Sequence, residues 1–129
     1  MVDQINSFLF QLMKPAPSPA RLSCDESGLV ITCDKRGVET SVAIHWQDVS
    51  KLVAFKRDCF GVDLICVLIG IEASTFEVNE EFIGWTLFLE AAQQNVPGML
   101  SFEVWWPQVA FPAFETNPTI VFDRVEVKS

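Results

Sequence analysis

Tyrosine is absent from this 129-residue chain, histidine occurs once, and from Asp58 to Asp123 there is neither a lysine nor an arginine. Each gap excludes something. His45 is the one imidazole, so a histidine-activated Ser or Cys nucleophile has a single candidate base, and no GxSxG elbow accompanies the serines. Cys24, Cys33, Cys59 and Cys66 contain no CxxC pair, which removes the close ligand spacing of a structural zinc site. The six glycines stand singly rather than in a phosphate-cradling loop. No apolar run approaches the roughly 18 residues of a spanning helix. The opening MVDQINSFLFQLMK carries Asp3 and no early cation, unlike a secretory leader. These absences lead us to expect a cytoplasmic chain with reduced cysteines, no metal, no cofactor and no membrane partner.

What is present is oil and acid. Half the residues are apolar, with eleven Phe and four Trp, so the core should be rich in aromatic rings. A chain this long fits one domain that buries roughly two-thirds of its unfolded surface. Nine basic residues stand against seventeen acidic ones, a net charge of −8. Ten of the carboxylates fall in the cation-free stretch from Asp58 to Asp123. That asymmetry reads either as simple solubility or as an acidic face for a basic partner. It argues against nucleic acid, whose phosphates need a basic stripe.

Periodicity divides the chain into elements. Residues 1–14 place Val2, Ile5, Phe8, Leu9 and Leu12 on one helical stripe, and a proline-rich hinge follows at 15–19. This helix either packs on the domain's own sheet or reaches across to a second protomer, which makes a homodimer one expectation. Residues 20–129 form a single α+β unit. Arg21 to Gly37 reads as a hairpin turning at Asp25-Glu26-Ser27-Gly28, with Gly28 free for positive φ. Val38 to Trp46 reads as a further strand, and Asp48 as the cap of one helical turn. Leu52–Phe55 and Leu64–Ile71 read as the central hairpin, with Lys56, Arg57 and Asp58 in its turn. Thr75–Val78 is a short strand. A helix over about 80–95 starts at the Asn79 cap, where Glu80 and Glu81 suit the dipole, and stops near Asn95 and Pro97. Beyond it, Pro107 and Pro112 break an aromatic segment, and Thr119–Phe122 closes the chain as a strand.

Several short motifs carry a resemblance. Ile44, Trp46, Asp48 and Val49 (IxWxDV) are followed by AFKRD at 54–58 and DLIC at 63–66. NEEFIGW at 79–85 and PAFETNPT at 112–119, with Arg124 beyond, complete the set. In this order they resemble a family of small, uncharacterised bacterial proteins over roughly residues 20–124. The resemblance implies a pleckstrin-homology-like fold, a strongly bent antiparallel sheet or partly open barrel closed by the helix at 80–95. It implies no activity, cofactor or catalytic residue.

Two clusters stand out as interaction candidates. Lys56, Arg57 and Asp58, with Asp63 across the turn, concentrate charge within an otherwise apolar plan. They read either as a solvated hairpin end or as a recognition loop; two cations are too few for a lipid headgroup. Trp105, Trp106 and Phe111 crowd an aromatic segment on irregular backbone; of the two adjacent tryptophans one reads as core, and the other reads either as lying flat beneath the N-terminal helix or as an exposed anchor in a protein interface. Glu80 and Glu81 are adjacent, which on a helix splays them by about 100° and disfavours an acid–base pair. The expectation is a non-catalytic protein-interaction module, with an immunity protein that occludes a basic toxin as one concrete version. The alternative is a ligand-binding or enzymatic domain in which His45 works with Asp48 or Glu77.

Overall fold

A computed structural model of the chain describes residues 20–58, 63–72, 74–112 and 115–124. The expected N-terminal helix at 1–14, the hinge at 15–19, and Cys59 lie outside the described residues. The rest is a mixed α+β fold with two antiparallel sheets. One runs β1 (Arg21–Cys24), β2 (Gly28–Lys35) and β3 (Val38–His45) in that order. The other is built from β4 (Val49–Asp58), β5 (Asp63–Ile71), β6 (Ser74–Asn79) and β7 (Thr119–Asp123), in the order β6-β5-β4-β7. Helices α1 (Trp85–Asn95) and α2 (Phe102–Ala110) stand between β6 and β7. The described strands do not close into a barrel.

The β4–β5 hairpin does sit at the centre of its sheet, as its oily pattern requires, but β4 is longer than expected. It continues through Lys56 and Arg57 to Asp58, which pairs with Asp63. Those three residues therefore belong to a strand rather than to a solvated turn. The reason lies in the alternation of Leu52, Ala54 and Lys56, which keeps one face of β4 on the core throughout.

Local chemistry sets the turns. Asp25 Oδ1 accepts from Ser27 N, Ser27 Oγ and Gly28 N, which folds the β1–β2 turn. Gly28 needs no positive φ; it is there because a Cβ would lie 2.1 Å from the Ile44 carbonyl oxygen. Arg36 and Gly37, both at positive φ, make the two-residue loop between β2 and β3. Trp46, Gln47 and Asp48 form one 3-10 turn that carries the chain from one sheet to the other, and Asp48 provides no side-chain cap. Trp46 instead fixes that crossing: its indole N–H donates to the Asp25 carbonyl at 2.8 Å, and its ring stacks on Phe88 of α1.

The helical segment also starts later than expected. Asn79 Oδ1 accepts from Glu81 N, but that makes an isolated turn, because Gly84 at φ 90 stops a helix from running through. Glu80 adds to the sheet instead, exchanging backbone and side-chain hydrogen bonds with Ile65. The aromatic segment after Pro97 forms α2, with Pro107 inside it; the helix stops at Ala110, before the cis Phe111–Pro112 bond. One apolar cluster joins both sheets and both helices, from Leu22, Leu29 and Ile44 through Leu52, Val67 and Val78 to Phe88, Trp105 and Val109.

Candidate functional site

The expected site residues fall into two places. Lys56 and Phe111 lie at the C-terminal end of α2, Trp106 packs on Phe111, and Trp105 is buried within the helix; Arg57 lies on the other face of β4, and Asp58 ends β4 opposite Asp63. Lys56 is 2 % exposed. Its ammonium donates to the Ala110 carbonyl at 2.8 Å and the Pro112 carbonyl at 2.6 Å, and lies 3.4 Å from Asp63 Oδ2. A buried cation is expensive unless its donors are matched, and here the carbonyls at a helix C-terminus, the negative end of the dipole, help to match them. Asn117, held at φ 44, places its Nδ2 amide, whose two N–H groups are shared among them, within hydrogen-bond distance of the carbonyls of Val109, Phe111 and Pro112. Together Lys56 and Asn117 grip the backbone on either side of Phe111.

That grip presents an apolar surface. Phe111 is 65 % exposed and its ring meets Trp106 edge to face at 5.8 Å. Trp106, 36 % exposed, leans on Phe102, which in turn meets Trp105 edge-on at 5.0 Å. A chain of rings thus runs from the core to the surface. Trp105 is fully buried, so it supports the surface and cannot itself be a contact residue, as its place among the interaction candidates would require. Its Nε1–H meets no acceptor among the described residues. The helix explains the difference: successive side chains point about 100° apart, so one Trp faces in and its neighbour out. Val104 on α2 and Leu87 on α1 are also exposed.

Beside this surface, α1 and α2 enclose a groove of about 450 Å³ lined by Trp85, Leu89, Glu90, Gln93, Phe102 and Glu103 among others. Its walls combine the aromatic rings of Trp85 and Phe102 and the Leu89 side chain with the carboxylates of Glu90 and Glu103 and the neutral polar groups of Thr86, Gln93 and Gln94, and neither helix contains a Lys or Arg.

Arg57 projects to the opposite face of β4. There it forms a bidentate pair with Glu77, its guanidinium 5.2 Å from the Phe55 ring centre. Glu77 is thereby committed and is no partner for His45. His45 is exposed at the end of β3, where it borders a cavity of about 160 Å³ with Cys24, Asp25 and Gly28; neither Asp48 nor Glu77 lines it. Asp25 holds its carboxyl below the usual range through the Ser27 side-chain hydrogen bond, then those from the Ser27 and Gly28 amides. The Cys24 thiol is pushed up to about 11, mainly by burial and then by Asp25, which disfavours a thiolate near neutrality. Among the described residues no group of three or more His, Cys, Asp or Glu is placed to hold a metal ion, and no helix is long and apolar enough to cross a membrane.

Sequence reasoning missed the groove and the role of Asn117. It also missed the burial of Lys56, although the Leu52, Ala54, Lys56 alternation signalled it. No family model matches the chain, and neither a curated protein nor a solved structure does.

Proposed function

We propose that this chain is a non-catalytic protein-interaction module that takes up a partner with a basic surface on the outer side of α1 and α2. The observation that carries the reading is the exposed Trp106–Phe111 pair, held by a buried lysine clamp beside a groove that contains Glu90 and Glu103 and no cation. Aromatic anchors supply affinity once desolvated, and Trp is among the residues that most often do so. Exposed carboxylates supply steering more than affinity. An immunity protein that covers the basic surface of a toxin in the cytoplasm is the concrete form of this reading. The finer fold assignment, pleckstrin-homology-like, is supported by the three- and four-stranded antiparallel sheets packed with a helix on one core. Fold alone leaves function open.

The test uses the whole chain and a synthetic Lys- and Leu-rich helical peptide, followed by stopped-flow tryptophan fluorescence. The cationic peptide should bind, Trp106→Ala should mainly hasten its release, and Glu90→Gln with Glu103→Gln should mainly slow its arrival. Failure of the cationic peptide to bind, or equal binding of a Glu-for-Lys version, overturns the reading.

A further inference from the structure

The edges of the two sheets differ in what they leave open. On the outer side of β1, Ala20 O accepts from Ile83 N and Leu22 N donates to the Ile83 carbonyl. On β7 the Val121 carbonyl accepts from Leu100 N. β6 is short, at six residues. β3 has eight residues and, among the described residues, a neighbour only in β2. One contact just beyond it fixes which way its backbone points: Trp46 N donates to the Ser27 carbonyl, on the β2 side. Alternation then aims the backbone groups of Ile44, Val42, Thr40 and Val38 at β2, and those of His45, Ala43, Ser41 and Glu39 outward. The outward groups meet no backbone partner among the described residues. Edges of this length are usually blunted by Lys, Pro or a bulge. Val38–His45 contains neither Lys nor Pro, and its register with β2 runs without a shift from Gly28 opposite His45 to Lys35 opposite Val38.

We propose that the β3 edge pairs antiparallel with the β3 edge of a second copy, joining the two three-stranded sheets into one. A two-fold axis normal to the sheet keeps each face on its own side, so only residues of the same face can lie opposite one another. That condition leaves few registers. Centring on Val42 sets Val42 against Val42 and the small residues Ser41 and Ala43 against each other. It also puts Glu39 of each copy opposite His45 of the other, a carboxylate against a ring that always carries an N–H donor. Glu39 is exposed and only one of its oxygens lies near Arg21, at 3.5 Å, so acceptor capacity remains. Centring on Thr40 or Ser41 would set Glu39 against Ser41 or Ala43 and lose that match, and centring on Glu39 would oppose like charges. The Val42 register completes about eight backbone hydrogen bonds between the copies. An interface one strand wide is small, so the association is weak and depends on concentration. β3 lies at the opposite edge of its sheet from β1, on which α1 packs, and the pairing leaves the α1–α2 groove open.

The test follows the full-length chain by sedimentation velocity from about 1 to about 200 µM, the range in which a small interface forms and dissociates. The parent chain should pass from monomer to dimer. Ala43→Pro deletes an N–H that points outward from β2, a change an edge strand tolerates. It should raise the dissociation constant by about tenfold or more, because each dimer loses two backbone hydrogen bonds. Leu87→Ser, on the exposed side of α1, should leave the constant unchanged. If Ala43→Pro does not fold, Ala43→Lys places a repelling charge at the same contact and should also weaken the dimer. Val42→Cys reads the register. Opposed Cα atoms of a non-hydrogen-bonded pair lie about 4.5 Å apart, within disulfide reach. On air oxidation, with the parent chain treated alike, peptide mass mapping should find a dimer linked through position 42. Thr40→Cys should not link to itself, since the two copies of position 40 would stand about 13 Å apart along the strands. A parent chain that stays monomeric throughout the range overturns the proposal. So does a dimer that folded Ala43→Pro or Ala43→Lys leaves intact, one that Leu87→Ser weakens equally, or one in which Thr40→Cys links as readily as Val42→Cys.

Discussion

Lys56 carries a full charge into the core, where two carbonyls and Asp63 meet it. Replacing one member of such a set leaves the others buried and unmatched, a loss of about 3 kcal/mol or more. Lys56→Met should therefore lower stability by that order in urea unfolding, although Met fills much of the same volume. Because Lys56 and Asn117 act on neighbouring carbonyls, Asn117→Ala should couple to it non-additively in a double-mutant cycle. Cys24 gives the pH-dependent counterpart. Its thiol is raised from 9.0 to about 11, so between those values the unfolded chain has lost a proton that the folded chain keeps. The stability contribution is complete below about 9 and declines as pH rises toward 11. The residue is only half-buried, so the kinetic signature is the better readout. Alkylation of Cys24 in the folded protein should keep accelerating beyond pH 9 and level off near 11.

At the scale of elements, glycines decide where the helical segment begins. Gly84 combines φ 90 with a backbone approach in which a Cβ would lie 2.2 Å from the Leu22 carbonyl oxygen. Gly84→Ala should thus carry both a left-handed penalty of about 1–2 kcal/mol and the cost of pushing β1 away. Gly37 is the internal control. It has φ 77 but nothing within 4 Å, so Gly37→Ala should cost the left-handed penalty alone. Thermal unfolding of the two variants side by side checks the difference, and equal losses would remove the argument from close packing. The element α2 is held differently. Pro107 deletes one of its internal hydrogen bonds, and the helix is kept by burial of Trp105 and Val109 and by the clamp at its end.

For the whole molecule, the cation-free stretch is less acidic to the outside than its count suggests. Asp63 and Glu77 are met by Lys56 and Arg57, which precede that stretch in sequence and cross to it in space. The remaining carboxylates, including Glu81, Glu90, Glu103 and Glu115, are exposed and produce the long-range field. Raising ionic strength from about 0.05 to 0.5 M shortens the screening length to a few ångströms. Association with a cationic partner should slow accordingly, while dissociation should change little. The two tryptophans separate fold from contact in the same measurement. Trp105→Ala should destabilise by about 3–5 kcal/mol through the cavity it opens. Trp106→Ala should cost far less stability and act on dissociation; a large stability loss there would place it in the core.

How much was legible in the sequence can be read from particular residues. Alternation and turn chemistry were enough for the succession of strands along the chain, the central hairpin and the closing strand at Thr119, though not for the division into two sheets, because these depend on periods of two residues and on local hydrogen bonds. The end of α1 at Asn95 was equally local. Tertiary structure decided the rest. It moved the helix start from Asn79 to Trp85, since the contact that requires Gly84 is with Leu22, far away in the chain. It drew Lys56 inward, since the carbonyls that meet the ammonium lie at Ala110 and Pro112. It turned a proline-broken stretch into α2, because burying Trp105 outweighs one lost hydrogen bond. And it parted Trp105 from Trp106, one in the core and one at the surface, a division that neighbouring residues of one type cannot show until a helix gives them different directions.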